Sequence, residues 1–290
     1  MTPLLKINDF YIKREDKNPT GSAKDRAIVA QVKTALLNKY KSATISSTGN
    51  AAISASFYCQ KENIPLHVFV SPDIAPNKLA ILNNNHNNTV YIDPRPISTS
   101  FKQSKESESY LLRQATDPVA LKAYSQIGTE IKEQLPQVSS IFIPTGSGAT
   151  LLGLSKTLPQ NCKIIACQSA ANPTLAKFFD KNYTPEKENP CDALTVKTLP
   201  LKDQIIDTIK KSKGTALALQ KDEIEKADNV LKKNKVTQLS LESALALSGL
   251  YKARKLDPDM VGDYPLILCT GMIRWAPKTP STSPTIPSFF

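Results

Sequence analysis

Short apolar runs alternate along this chain with longer stretches whose apolar residues return every three or four positions. The runs predict strands at 10–12, 43–46, 66–70, 90–92, 141–144, 163–168, 216–219 and 265–269. The periodic stretches predict helices at 24–40, 49–62, 77–83, 101–115, 126–134, 149–157, 173–179, 202–213, 221–234 and 241–256. Strand and helix in alternation define an α/β protein with a largely parallel sheet. In the helix from Lys24, residues Ile28, Val32, Ala35 and Leu36 share a face, which we read as core packing. The polar run 83–88 reads as a turn, residues 182–201 as a surface crossing, and the Pro-, Ser- and Thr-rich residues 277–290 as a tail.

Composition narrows this picture only in places. A chain of 290 residues can bury two modest cores, so two lobes are expected. No apolar run reaches the roughly 18 residues needed to span a bilayer. The first ten residues carry charge and no apolar stretch, so no secretory signal is visible and a cytoplasmic location is expected. Five cysteines, odd in number and never two residues apart, fit reduced thiols better than disulfides or a zinc site. With only His67 and His86, no histidine-based metal site is expected. The net charge of +11 is spread over lysines mixed with acids, without an aromatic platform beside them. That is a solvated basic surface rather than a nucleic-acid site, although it can draw in an anionic substrate.

Three loops carry the candidate chemistry. Lys24 closes the small-residue turn Asn18-Pro19-Thr20-Gly21-Ser22-Ala23 and opens a helix. Lysine forms Schiff bases with carbonyl cofactors, but a helix-start lysine on a surface turn is the plainer reading, and Ser22 with Lys24 lacks the signature of a Ser–Lys hydrolase. Ser46-Ser47-Thr48-Gly49-Asn50 joins a strand to a helix; Thr48 or Asn50 can simply cap that helix, or the loop can grip a carboxylate. Thr145-Gly146-Ser147-Gly148-Ala149-Thr150 follows a buried strand and presents a helix N-terminus to an anion, unless it is only a tight turn. A Walker loop would end in Lys-Ser/Thr, and a dinucleotide fingerprint would place glycine where Leu151 stands and an acid where Gln168 stands. Both nucleotide readings weaken.

Taken together these segments match something specific. Lys13-Arg14-Glu15-Asp16 with the turn ending in Lys24-Asp25-Arg26 resembles the cofactor-lysine segment of fold-type II pyridoxal phosphate enzymes, the tryptophan synthase β-like superfamily. Ser46-Ser47-Thr48-Gly49-Asn50-Ala51-Ala52 is similar to their asparagine loop, and Thr145 to Thr150 to their phosphate cradle. The likeness runs from Thr2-Pro3-Leu4 to Thr270-Gly271 and is nearest to the threonine synthase branch. Ala75-Pro76-Asn77-Lys78, Tyr124 to Glu130 and Cys269-Thr270-Gly271 are similar to that branch, and Leu241-Glu242-Ser243-Ala244 is similar to a family helix facing the active site, with a plain core helix as the alternative reading.

The resemblance implies a two-lobe α/β fold, each lobe a mostly parallel sheet flanked by helices. Residues 1–41 and 126–276 would form the larger, cofactor-binding lobe and 42–125 a smaller lobe that closes on substrate. It implies pyridoxal 5'-phosphate as cofactor, held by Lys24 as a Schiff base, with Asn50 at its 3'-oxygen. Gly146, Ser147, Gly148, Ala149 and Thr150 would hold its phosphate, and Thr270 would meet its ring nitrogen. A hydroxyl there does not strongly protonate the ring, which suits elimination and replacement more than transamination. Ser47, Thr48 and Gly49 would grip the substrate carboxylate, and Lys24 would take the Cα proton.

The implied activity is amino-acid biosynthesis in a homodimer, a lyase converting O-phosphohomoserine to threonine and phosphate. Threonine or serine dehydratase chemistry and a non-catalytic binding protein are the alternatives. Departures from the family stand at Ala23 (usually Phe or Val), at 83–88, and at Met272-Ile273-Arg274-Trp275 in place of Gly-Leu-Lys-Asp. With the chain opening on Thr2-Pro3-Leu4, no appended regulatory domain is expected.

Overall fold

The computed structural model describes residues 1–272. The tail at 277–290 and the departure from Ile273 onward lie outside the described residues. Ten strands run in chain order: β1 (Leu4–Ile7), β2 (Phe10–Arg14), β3 (Ala43–Ser46), β4 (Leu66–Val70), β5 (Asn88–Ile92), β6 (Tyr110–Leu111), β7 (Ser140–Pro144), β8 (Lys163–Ser169), β9 (Thr215–Leu219) and β10 (Pro265–Cys269). The helices are α1 (Lys24–Leu37), α2 (Asn50–Lys61), α3 (Pro76–Asn83), α4 (Pro96–Glu106), α5 (Pro118–Gln134), α6 (Ala149–Ser155), α7 (Lys202–Lys211), α8 (Lys221–Lys233), α9 (Leu241–Leu256) and α10 (Pro258–Val261).

Two sheets result. One has the order β1-β2-β10-β7-β8-β9 and is parallel except for the β1–β2 hairpin; the other, β5-β4-β3-β6, is parallel throughout. The chain builds one end of the larger sheet, then the smaller sheet, then returns to place β10 between β2 and β7. Strands β7 and β10 are buried at every position, as expected of parallel strands covered on both faces. Helix α1 serves both cores. Ala27 packs into the cluster around β7 and β8, whereas Ile28, Val32 and Ala35 pack with β3 and β4. Leu36 stands outside that buried stripe and is exposed.

Four elements differ from the sequence expectation, each for a local reason. The helix expected over 101–115 ends at Glu106; Glu108 takes a positive φ, and the chain leaves as β6 to pair with β3. Helix α5 begins eight residues before the expected 126, because Asp117 accepts a hydrogen bond from the Val119 N–H (2.9 Å) and Pro118 occupies the first helical position. The stretch 173–179 holds only a three-residue 3₁₀ turn, Ala176–Phe178. Strand β1, not expected, is a half-exposed edge strand turned back onto β2 at Asn8, whose φ of 50° suits a tight hairpin.

Candidate active site

Each candidate side chain comes from a strand end or a helix start. Loops leave the C-terminal ends of β3, β7 and β10, and all three open onto one cavity of about 1010 Å³. Lys24, Ser47, Thr48, Gly49, Asn50, Gly146, Ser147, Gly148, Ala149, Thr150 and Thr270 all line it. Every candidate named from the sequence therefore faces the same space, as ligand sites at strand ends of α/β proteins do.

Lys24 is the first residue of α1, and the turn before it is clamped to the end of β10. Ala23 N–H donates to Thr270 O (2.9 Å), Met272 N–H donates to Gly21 O (3.1 Å), and Ser22 bridges Gly271. The clamp sets Lys24 beside Thr270 although 246 positions separate them (270 − 24). Next to the lysine, buried Asp25 accepts from Thr20 N–H (2.6 Å), the Thr20 hydroxyl and the Ser54 hydroxyl (2.7 Å), joining the lysine turn to α2. On the other side Arg26 donates to Glu15 (2.9 and 3.0 Å) and to Glu130 (2.5 and 2.9 Å).

The Asn50 loop is not spent on capping. The N-cap position of α2 is Gly49, with no side-chain cap bond, and Asn50 follows as the first helical residue. Its Oδ1 is buried without a hydrogen-bond partner among the described residues, as is the Ser22 hydroxyl. A β-carbon at Gly271 would lie 2.9 Å from Asn50 Nδ2, so glycine there leaves room for the amide. Buried polar groups normally find partners, so an orphaned amide oxygen on a cavity wall marks a place for a ligand.

The glycine loop is shaped the same way. Gly148 is the N-cap of α6 with φ +81°, and no side chain caps the helix. The first N–H groups of a helix have no intrahelical acceptor, and here the residues that carry them, Ala149, Thr150 and Leu151, line the cavity. A β-carbon on Gly148 would approach Ile205 Cδ1 to 2.2 Å and Cγ1 to 2.8 Å, while Ile205 is fully buried. Gly148→Ala is therefore expected to lower stability by about 2–4 kcal/mol through a left-handed residue and overpacking. Gly49→Ala, which meets nothing within 4 Å, is expected to leave the melting temperature unchanged. Thermal unfolding of the two variants side by side checks the contrast.

The cavity wall also holds groups that single-sequence reasoning did not assign. Lys78 from α3 and Lys232 from α8 line it, the latter paired with Asp228 at 2.5 Å, as does the buried Glu242 near the start of α9. Leu194, from the surface crossing, packs over Gly146 (3.4 Å to a β-carbon built there). The only sequence signals for these were the Lys78 and Glu242 segments. By contrast, all five cysteines are buried away from the cavity lining, and burial pushes the Cys59 and Cys162 thiols up to about 12.

A lysine at a helix start, an unpartnered amide and an anion-ready glycine turn around one cleft between two parallel sheets define a cofactor-binding α/β enzyme. Residues 1–269 match the family described as pyridoxal-phosphate dependent enzyme, and the chain belongs to that family. Its cofactor is pyridoxal 5'-phosphate, and the orphaned Asn50, the Gly148 turn and Lys24 fit it.

The chain is 27% identical to a threonine synthase of Methanosarcina acetivorans, over 94% of this chain and 72% of that protein. It is 25% identical to human serine racemase, over 69% of this chain and 64% of that protein, and 24% identical to an L-threonine ammonia-lyase of Thermotoga maritima, over 86% and 64%. Among solved structures, maize serine racemase aligns with a TM-score of 0.79 at 14% identity, covering 95% of this chain and 90% of that one. The processed threonine deaminase isoform 2 of Solanum lycopersicum aligns with a TM-score of 0.76 at 20% identity, covering 94% and 84%. The fold is that of fold-type II pyridoxal phosphate enzymes. Among the described residues no helix is long and apolar enough to cross a membrane.

Proposed function

We propose that this chain is a pyridoxal phosphate-dependent lyase acting on a small amino acid, with threonine synthase-like conversion of O-phosphohomoserine and water to threonine and phosphate. The observation that carries the reading is the convergence of Lys24, the Asn50 loop, the 146–150 turn and Thr270 on one cavity. In this reading Lys24 holds the cofactor covalently and, when released, takes the proton from the substrate Cα. The 146–150 turn would hold the phosphate through backbone N–H groups, and the Asn50 amide would donate an N–H to the ring oxygen. Thr270 meets the ring nitrogen with a neutral hydroxyl, and Ser47, Thr48 and Gly49 orient the substrate carboxylate. When bound, the cofactor supplies the electron sink for the pair left at Cα. Lys78 places a cation on the same wall, which suits a substrate carrying a second anionic group, whereas the Lys232 charge is matched there by Asp228.

Elimination of threonine or serine is the second reading, favoured by the likeness to an L-threonine ammonia-lyase over 86% of the chain. Purified protein given O-phosphohomoserine is expected to release phosphate and threonine in equal amounts. Formation of a 2-oxoacid from threonine, with no phosphate release, would select the second reading instead. Absence of a bound-cofactor absorption band that is lost in Lys24→Ala would select the third reading, a non-catalytic binding protein of the same fold.

A further inference from the structure

Tyr124 stands within α5, fully buried, and packing alone does not account for it. Its hydroxyl is sealed from solvent and has no hydrogen-bond partner among the described residues. A hydroxyl left so is destabilising and uncommon, and phenylalanine would fill the same volume without that cost. Lys24 Nζ lies 6.0 Å from the centre of the tyrosine ring, at the range where a cation is attracted to a ring face. The ring is enclosed in a buried cluster with residues of α1, α5 and α6. A β-carbon at Gly153 would come within 2.3 Å of Tyr124 Cβ, so α5 and α6 meet in close contact there. Helix α5 also packs against α1, so Tyr124 stands where the helix opened by the glycine turn meets the helix opened by Lys24.

On the reading that Lys24 carries the cofactor, we propose that Tyr124 is a positioning residue for Lys24. Its ring seats the side-chain ammonium whenever Nζ is not covalently held, and its hydroxyl oxygen accepts an N–H bond once Lys24 has taken the substrate Cα proton. The lysine stem has the rotatable bonds to close the distance. In that step the Cα–H bond breaks, its electron pair stays with the substrate carbon, and the proton resides on Nζ. Tyr124 keeps its own proton throughout.

Two variants separate the ring from the hydroxyl. Tyr124→Phe keeps the volume and removes only the oxygen; Tyr124→Leu removes the ring. Borohydride trapping of the cofactor on Lys24, read by peptide mass spectrometry, is expected in wild type and in Tyr124→Phe alike, with cofactor affinity within about twofold. Exchange of the amino acid Cα hydrogen with deuterated solvent is expected to fall about tenfold or more in Tyr124→Phe, the scale of a lost hydrogen bond to a charged group. In cofactor-free protein, acylation of Lys24 by an amine-reactive ester is expected to run about two- to fivefold faster in Tyr124→Leu and unchanged in Tyr124→Phe.

Exchange within twofold of wild type in Tyr124→Phe overturns the proposal. So does an equal loss of cofactor affinity, which would assign Tyr124 a merely structural role, and so does unchanged labelling in a folded Tyr124→Leu. If Tyr124→Leu does not fold, exchange in Tyr124→Phe decides alone. Absence of a trapped adduct in wild type overturns the reading of Lys24 as well, and is recognised before any Tyr124 variant is made.

Discussion

Lys24→Ala is expected to yield a folded protein that carries no borohydride-reducible cofactor, lacks the absorption band of the bound form, and turns over at least about a thousandfold more slowly. The size follows from losing two functions in one side chain, covalent attachment and proton transfer at Cα. Folding is expected to survive because Lys24 is only half-buried at a helix start, whereas the residues that fasten its turn are its neighbours Asp25 and Arg26. Absorption spectra and circular dichroism of the purified variant check both halves. A variant that retains the band and the turnover would remove Lys24 from the site.

The second large effect lies behind the lysine. Glu130 accepts hydrogen bonds from Thr2 N–H (3.0 Å), Lys13 (2.6 Å) and Arg26 (2.5 and 2.9 Å), while Lys13 is completely shielded from solvent. Burial alone would push the Glu130 carboxyl up, but Arg26, Lys13 and the Thr2 N–H outweigh it and hold the group down at about 2. Glu130→Ala leaves the Lys13 and Arg26 charges without their shared partner and is expected to cost about 3–5 kcal/mol, enough to threaten folding.

The sign in pH follows from the same shift. A carboxyl depressed in the folded state contributes stability that is complete above its ordinary value of 4.5 and disappears as pH falls toward 2. Across that window the wild type is expected to lose about 3 kcal/mol that Glu130→Gln does not lose. Urea unfolding of both proteins at pH 7 and pH 2 measures the difference; parallel losses would dismiss Glu130 as the cause.

The sequence was most informative where residues that act together are contiguous. The Lys24 turn, the 46–50 junction and the 145–150 turn each bring their groups within a few positions, so each could be read from local pattern. Its errors came where a local signal was outvoted or overlooked. The polar run after Phe101 reads as one helix with the apolar residues that follow it, but pairing of Tyr110 and Leu111 with β3 captured that segment as a strand. Asp117-Pro118 is a helix start by composition, and the periodicity reading passed over it. Asn50 illustrates the remaining ambiguity. Its type fits a cap or a ligand, and only the N-cap at Gly49 with an unpartnered Oδ1 removes the capping reading.

By itself the sequence determined the α/β class, the cofactor family and the three candidate loops, because strand–turn–helix junctions are written in adjacent residues. Only the tertiary structure decided that these junctions share one cavity, that Thr270 is fastened to the lysine turn, that Lys13 and Glu130 pair across 117 positions, and that Tyr124 stands against Lys24. Such contacts depend on how the sheets close and where a late strand inserts. No local propensity encodes the distance between residues that meet only after the chain has folded.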